Sequence, residues 1–490
     1  MRKVPPSLPF LVPLLAAVAV LAAGCESSDS APGPDPVPTA TLTRAQVRDR
    51  IEGGWVGQMV GVVAAGWTEF AYKGVIIPED QVPEWDPETF FFTAWMQDDL
   101  YVEVPFVEAM LAHGPLVGYG PLGEAFVNTT FRLWHGNEHA RNALERGIPA
   151  PGSGHYTNNE HCDDLDWQIE ADYVGLVTPG MTHEAVELAW RHGHVIGFGD
   201  GVYGGVFVAA MHAEAFVADT LDQVIAAGLA AIPADTDFRR LLADVQDGYA
   251  RNSAWEVTWQ EIQDKWGDTD RCPTGLDDPY NIDAKLNAGY VLMGLLYGEG
   301  DFWDSIVISM RGGQDSDCNP STVAGILGTL YGLSGIPAEY KTHIDWTDKK
   351  FDYTDRTLGD LVDASETLAR QIVAIGGGTI TGEGDAQVWE VPRRPVPMLI
   401  REQWPRQANE APAWTDVRVA GIDGRTVRFE AAATDDDGIV SYLWAFGDLT
   451  YGDGATPEHT YLAPGTYEAH AWVTDTVGNT SWRAIPVVVP

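Results

Sequence analysis

The chain changes its sequence grammar around residues 391–412, and that change limits what it can fold into. From Thr43 to about Gly376, Ala, Leu and Val recur at helical spacing, as in residues 221–231, 286–297 and 322–333. Beyond Pro412 the segments are short, β-branched and alternating, punctuated by Gly, Asp and Pro: RTVRFEAAA, GIVSYLWAFGD, GTYEAHAWVTD, AIPVVVP. One packing layer cannot serve both periods. The expectation is a large, mainly helical domain over residues 43–395, a Pro-rich linker over 396–411, and a β-sandwich over 412–490. Thr43-Arg44-Ala45-Gln46 reads as a capping box opening the first helix.

Charge narrows the function. Lys and Arg number 30 against 71 Asp and Glu, a net charge of -41. Such a surface repels nucleic acid and anionic lipid, and it favours cations. At the N-terminus, Arg2 and Lys3 precede an apolar run over residues 11–23 that is too short to span a bilayer and suits a signal peptide. It ends in Leu21-Ala22-Ala23-Gly24-Cys25, which resembles a lipobox. A lipidated Cys25, a disordered tether over residues 26–42 and export to the cell envelope are expected. Glu26 leans toward an outer membrane where one exists, and the lipid is then the sole membrane contact. Cys162, Cys272 and Cys318 remain, enough for one disulfide at most. Whether Cys162 and Cys272 pair stays open.

Three segments carry the chemistry. In GGQDSDCNP, Asp315 and Asp317 flank one residue after paired glycines, just before a small-residue apolar run. Carboxylates one residue apart in a turn can face a single hard cation, although an acidic helix cap explains one such pair equally well. A second pair, Asp98-Asp99, follows Gln97 and opens another apolar segment, with Pro105 marking a helix start or kink. Four carboxylates at two helix starts suggest more than one metal ion. The third segment is GGWVGQMVGVVAAGWTEF. Its small residues at Gly54, Gly57, Gly61 and Ala65 predict a tightly packed helix that ends by presenting Glu69 beside Phe70.

Together these segments resemble the ADP-ribosylglycohydrolase family over about residues 43–395. The match lies in Gly61 to Phe70, Gln97 to Leu100 and Gly312 to Cys318. The resemblance implies an all-α domain with two Mg²⁺ (or Mn²⁺) ions that hydrolyses a glycosidic bond at the anomeric carbon of ribose. Carried over by position, Asp98, Asp99, Asp315 and Asp317 are metal ligands and Glu69 is the carboxylate near the scissile bond. The tail is similar to a PKD domain, an immunoglobulin-like module, through Trp444-Ala445-Phe446-Gly447-Asp448, His459-Thr460-Tyr461 and Val473-Thr474-Asp475. That implies a spacer, or a contact to carbohydrate or protein.

Departures from the family pattern bear on substrate. Gln97, Leu100 and Cys318 stand where threonines are usual; glutamine still offers an oxygen, leucine does not, and a thiol suits Mg²⁺ poorly. Val62 replaces an early aspartate. Glu170 falls where an arginine is common, so an acidic pocket wall and a preference for a neutral glycoside over an ADP-ribosyl substrate are expected. The Gly199–Gly205 stretch reads as a ligand-approaching loop. Within it Gly201 and Tyr203 are candidates to line the pocket, with His194 and Asp166 as companions. His192, His194 and His161 match no standard zinc spacing and read as packed side chains. An exported metal-dependent glycohydrolase is the leading reading; a catalytically inactive sugar- or nucleoside-binding or scaffold lipoprotein is the alternative.

Overall fold

A computed structural model of the chain describes residues 37–270, 281–397, 399–404 and 411–490. Cys25, the expected signal segment and Cys272 lie outside the described residues. Within residues 38–490, helices dominate from Arg44 to Ile375, and two antiparallel sheets follow from Ala413 onward. Among the described residues, no helix is long and apolar enough to cross a membrane.

The first helix, Arg44–Ala65, starts at the expected capping box. The Thr43 side chain accepts from the Gln46 amide, and the Gln46 side chain answers the Thr43 amide. The helix lies against Cys318–Gly335 along a glycine seam. A Cβ at Gly53, Gly57 or Gly61 would sit 2.1 Å from the carbonyl oxygen of Gly328, Ala324 or Pro320 respectively. Only glycine permits backbones that close. This seam sets the ends of both helices, and those ends carry Glu69 and the Asp315–Asp317 turn.

The start and end of the helical domain are tied by a small sheet. Thr39–Thr43 pairs antiparallel with Val388–Pro392, which also pairs with Thr379–Thr381. The expected tether over 26–42 is therefore structured from Thr39 onward. The expected linker over 396–411 is also anchored. Leu399 and Ile400 join the helical core, and Glu402 is buried, accepting from the Gly199 amide and meeting His194 Nε2 at 3.0 Å.

The C-terminal sandwich stacks Ala413–Asp423, Thr426–Thr434 and Glu458–Thr460 on a second sheet, ordered Thr480–Val489, Gly465–Asp475, Ile439–Ala445, Tyr451–Asp453. Its interior is Val427, Phe429, Trp444, Phe446, Tyr461 and their neighbours. The outer face of its second sheet is not free: Leu443, Leu449 and Trp472 belong to the core of the helical domain. Across that junction Tyr156 Oη donates to Asn479 Oδ1 at 3.0 Å, and the Tyr119 and His470 rings meet at 4.9 Å.

Candidate active site

Residues Glu69, Gln97, Asp98, Asp166, Asp315, Asp317 and Cys318 line one cavity of about 410 Å³. Asp99 lies buried behind them. Segments far apart in sequence converge there because each follows or precedes a rigid helix. Asp98 and Asp99 form the first turn of Asp98–Tyr101, and Pro105 falls in the first turn of Val104–His113, a start rather than a kink. Asp315 and Asp317 precede Cys318–Gly335, in a turn where Gly313 (φ 79°) and Gln314 (φ 57°) take left-handed backbone. A side chain at Gly313 would meet the carbonyl oxygens of Tyr72 and Val75, each at 2.8 Å.

The Glu69 segment and this turn are stitched together. Phe70 N donates to Gln314 O at 2.9 Å, Gln314 N donates to Tyr72 O at 2.8 Å, and the Thr68 and Ser316 hydroxyls share a hydrogen bond at 2.7 Å. The buried Gln314 side chain also accepts from the Asn281 amide at 2.9 Å. Sequence reasoning found Glu69 and the two aspartates but not Thr68, Ser316 or Gln314, whose role depends on a partner far along the chain.

Electrostatically the acids of the site are left without ion-pair partners. Asp99, Asp315 and Asp317 are almost fully buried, and both oxygens of Asp99 and one of Asp315 have no hydrogen-bond partner. Among the described residues no Lys, Arg or His forms an ion pair with Glu69, Asp98, Asp99, Asp315 or Asp317. Burial, then the charges of Glu69 and Asp99, push Asp315 up to about 8; burial and Asp315 push Asp317 well above the usual carboxylate range. Glu69 stands at the mouth with much of its surface in solvent. Even so, desolvation of its carboxylate, followed by Asp317 and Asp98, raises it to about 8, and solvent at the mouth moderates that shift. Donor atoms of Asp315, Asp317 and Cys318 lie within 4.8 Å of one another. Buried carboxylate oxygens left unpaired by the chain are the donors that hard divalent ions take, so the residues present fit such ions. Gln97, which also lines the cavity, donates its Nε2 to Thr93 O at 3.1 Å.

Several expectations are corrected here. Gly199–Gly205 is not a ligand loop. Residues from Asp200 onward are helical, in Asp200–Ala215, and the glycines serve helix packing: a Cβ at Gly201 would strike Cys162 O, and one at Gly205 would strike Trp167. Tyr203 is wholly buried away from the cavity, its hydroxyl donating to Ile400 O at 2.9 Å and accepting from Glu402 N at 2.6 Å. His194 is likewise buried against Trp190 O and Glu402. Glu170 does not line the cavity but sits behind Asn137, whose Nδ2 donates to it. Asp166 does line it, held by the Gly136 and Asn137 amides at 3.2 and 3.0 Å, and burial raises it to about 7. The wall that sequence reasoning missed is Arg132, Leu133, Trp134, His135 and Asn137, with the Arg132 guanidinium 4.7 Å from the Trp134 ring.

Residues 43–372 match the model of the ADP-ribosylglycohydrolase family, and residues 409–488 match that of the PKD domain. Among curated proteins no match is found. Similar solved structures include the PKD1 domain of Vibrio anguillarum Epp, 30% identical, covering 17% of this chain and 96% of that one (TM-score 0.16). The PKD1 domain of the Vibrio cholerae metalloprotease PrtV is also 30% identical, covering 16% and 98% (TM-score 0.16). An ADP-ribosylglycohydrolase-related protein complex is 15% identical, covering 66% of this chain and 99% of that one (TM-score 0.42). The chain belongs to the ADP-ribosylglycohydrolase family and carries a PKD domain at its C-terminal end.

Proposed function

We propose that the helical domain is a divalent-cation-dependent glycohydrolase that cleaves a ribosyl or related N- or O-glycosidic bond. The observation that carries this reading is the convergence of Glu69, Asp98, Asp315 and Asp317 on one cavity, where buried carboxylate oxygens of Asp99 and Asp315 have no hydrogen-bond partner and, among the described residues, none of these acids is ion-paired. Asp98, Asp99, Asp315 and Asp317 would hold Mg²⁺ or Mn²⁺, which when bound supplies Lewis acidity toward sugar hydroxyls and water. Glu69, at the mouth, is placed to stabilise the positive charge that builds at the anomeric carbon and to move a proton there. Asp166, fixed by two amides, offers a rigid acceptor for a sugar hydroxyl. Trp134 presents an apolar face to the departing group.

Glu170 is absent from the wall of the cavity and Arg132 is present. A phosphate-bearing aglycone has a cation to meet there, so a neutral glycoside and an ADP-ribosyl substrate both fit. Hydrolysis of a riboside panel and of ADP-ribosyl-arginine and ADP-ribosyl-serine in Mg²⁺, compared by kcat/KM, tests the reading. Glu69→Gln should lower the best activity by roughly 10²–10⁴-fold. Full activity in Glu69→Gln, or in the presence of a chelator, overturns it. We further propose export with lipidation at Cys25, to be read from the intact mass of the membrane fraction; an unmodified Cys25 refutes it. In that setting the PKD domain contacts carbohydrate or protein, which glycan and protein pull-downs with the full chain would reveal.

A further inference from the structure

By spacing alone His161 matches no zinc pattern, but the fold supplies partners from another segment. His135 and His139 lie four residues apart on the helix His135–Glu145, and the turn that follows that helix brings His161 against them. The His139 and His161 rings are 4.6 Å apart, and those of His135 and His161 are 5.6 Å apart. His139 Nδ1 lies 3.8 Å from Glu160 Oε1, and one donor atom from each of His139, Glu160 and His161 falls within 4.8 Å of the others. We propose that His139, His161 and Glu160 form an imidazole-rich site for a transition-metal ion of the Zn²⁺ class, distinct in its donors from the acidic set that faces the cavity.

Three features go beyond proximity. Two imidazoles, one carboxylate and an open position for water make a donor set that suits Zn²⁺ rather than Mg²⁺. Asp164 Oδ2 stands 2.8 Å from His161 Nδ1, the kind of contact by which outer carboxylates orient metal-binding imidazoles. The turn is also fixed without the ion. Asn159 Oδ1 accepts from the His161 amide at 3.0 Å, and Asn159 Nδ2 donates to Gly136 O and Ile196 O at 2.9 Å each. Glu160 is exposed and free to swing in and close the set. A bound ion would fasten the 159–164 turn to the helix whose His135 lines the cavity and whose Gly136 and Asn137 amides hold Asp166.

The test uses the full chain, stripped with chelator, saturated with Mg²⁺ and then titrated with Zn²⁺ by calorimetry. Co²⁺ serves as an optical probe of four-coordinate geometry. One Zn²⁺ should bind with Mg²⁺ in excess, and that binding should survive in D315N/D317N. It should weaken by at least tenfold in E160Q, a surface change that cannot disturb the fold, and by more in H139Q, with loss of the intense Co²⁺ bands. Unchanged Zn²⁺ affinity in both E160Q and H139Q overturns the proposal, as does absence of Zn²⁺ binding in the Mg²⁺-saturated wild type. Loss of Zn²⁺ binding in D315N/D317N would place the ion in the acidic cavity instead, and the proposal fails.

Discussion

Buried carboxylates occur in two settings in this molecule. Around the helix Thr182–Gly193, each buried or half-buried acid named here meets a cation from the chain itself. Arg191 donates to Glu187 at 2.5 Å, Arg394 to Glu184 at 2.9 Å, and Arg393 to Glu214 at 2.7 Å. Glu366 is held in the same manner by Arg44 and Arg370. At the cavity, Asp315 and Asp317 in its lining and Asp99 behind them are just as buried and have no such partner among the described residues. Burying a charge without compensation costs several kcal/mol. The first region closes its balance within the fold; the second leaves it open to something that arrives from solvent. That difference separates the two sets of acids more sharply than burial does.

The comparison can be broken most forcefully on its paired side. Arg191→Ala leaves Glu187 buried alone and should cost about 3–5 kcal/mol in denaturant unfolding. Glu187→Gln combined with Arg191→Met should recover much of that loss. On the unpaired side, Asp315→Asn with Asp317→Asn should leave the cation-free protein as stable as wild type or more so. The wild type should gain about 2.7 kcal/mol at a Mg²⁺ concentration of 100 Kd, and the double variant should show no rise in Tm. An equal rise would reduce the turn to an acidic helix cap.

Acid and base should then pull the two regions in opposite directions. Burial raises Glu366, but hydrogen bonds and charges from Arg44 and Arg370 override it and hold it at about 2. A folded value below the unfolded one means that its contribution is complete above about 4.5 and fades as pH falls toward 2. Glu366→Gln should flatten the stability curve in that window. Asp315 is raised to about 8, so its contribution runs the other way. In cation-free protein it is lost as pH climbs from about 4 to 8, and Mg²⁺ affinity should strengthen over the same range as the proton leaves. A pH-independent Mg²⁺ affinity would contradict this. The smallest effect is local: Thr68→Val removes the hydroxyl bridge to Ser316 and should cost about 1 kcal/mol, with a loss in kcat larger than its change in KM.

Much of this site was legible in the sequence, for a physical reason. Asp98-Asp99, Asp315 and Asp317 announce themselves because charge at the mouth of an apolar helix is unusual. The glycine repeat ending at Glu69 announces close helix packing. What misled was glycine's second use. In Gly199–Gly205 the missing side chains admit Trp167, Gln168 and the Cys162 carbonyl rather than a ligand, and the two uses look alike in one dimension. His194 and Tyr203 followed the same error, since their partners Glu402 and Ile400 lie some two hundred residues away in what read as linker. Arg132, Trp134 and the His139–His161 pair carry no local signal at all, because their meaning comes only from the turn of chain that faces them.

The docking of the sandwich has a consequence for the order in which the chain becomes a protein. The helical domain takes its last core residues, Leu399, Ile400 and the buried Glu402, from the segment just before the sandwich, yet the face bearing Tyr119, Trp190 and Arg191 is sealed only when His470, Trp472 and Tyr451 arrive. During synthesis from the N-terminus, domains fold as they emerge, so this face waits uncovered while the last eighty or so residues are made. A truncation that stops before the sandwich would freeze the molecule in that interval, with an apolar surface and a half-buried Glu187–Arg191 pair open to water and to other chains.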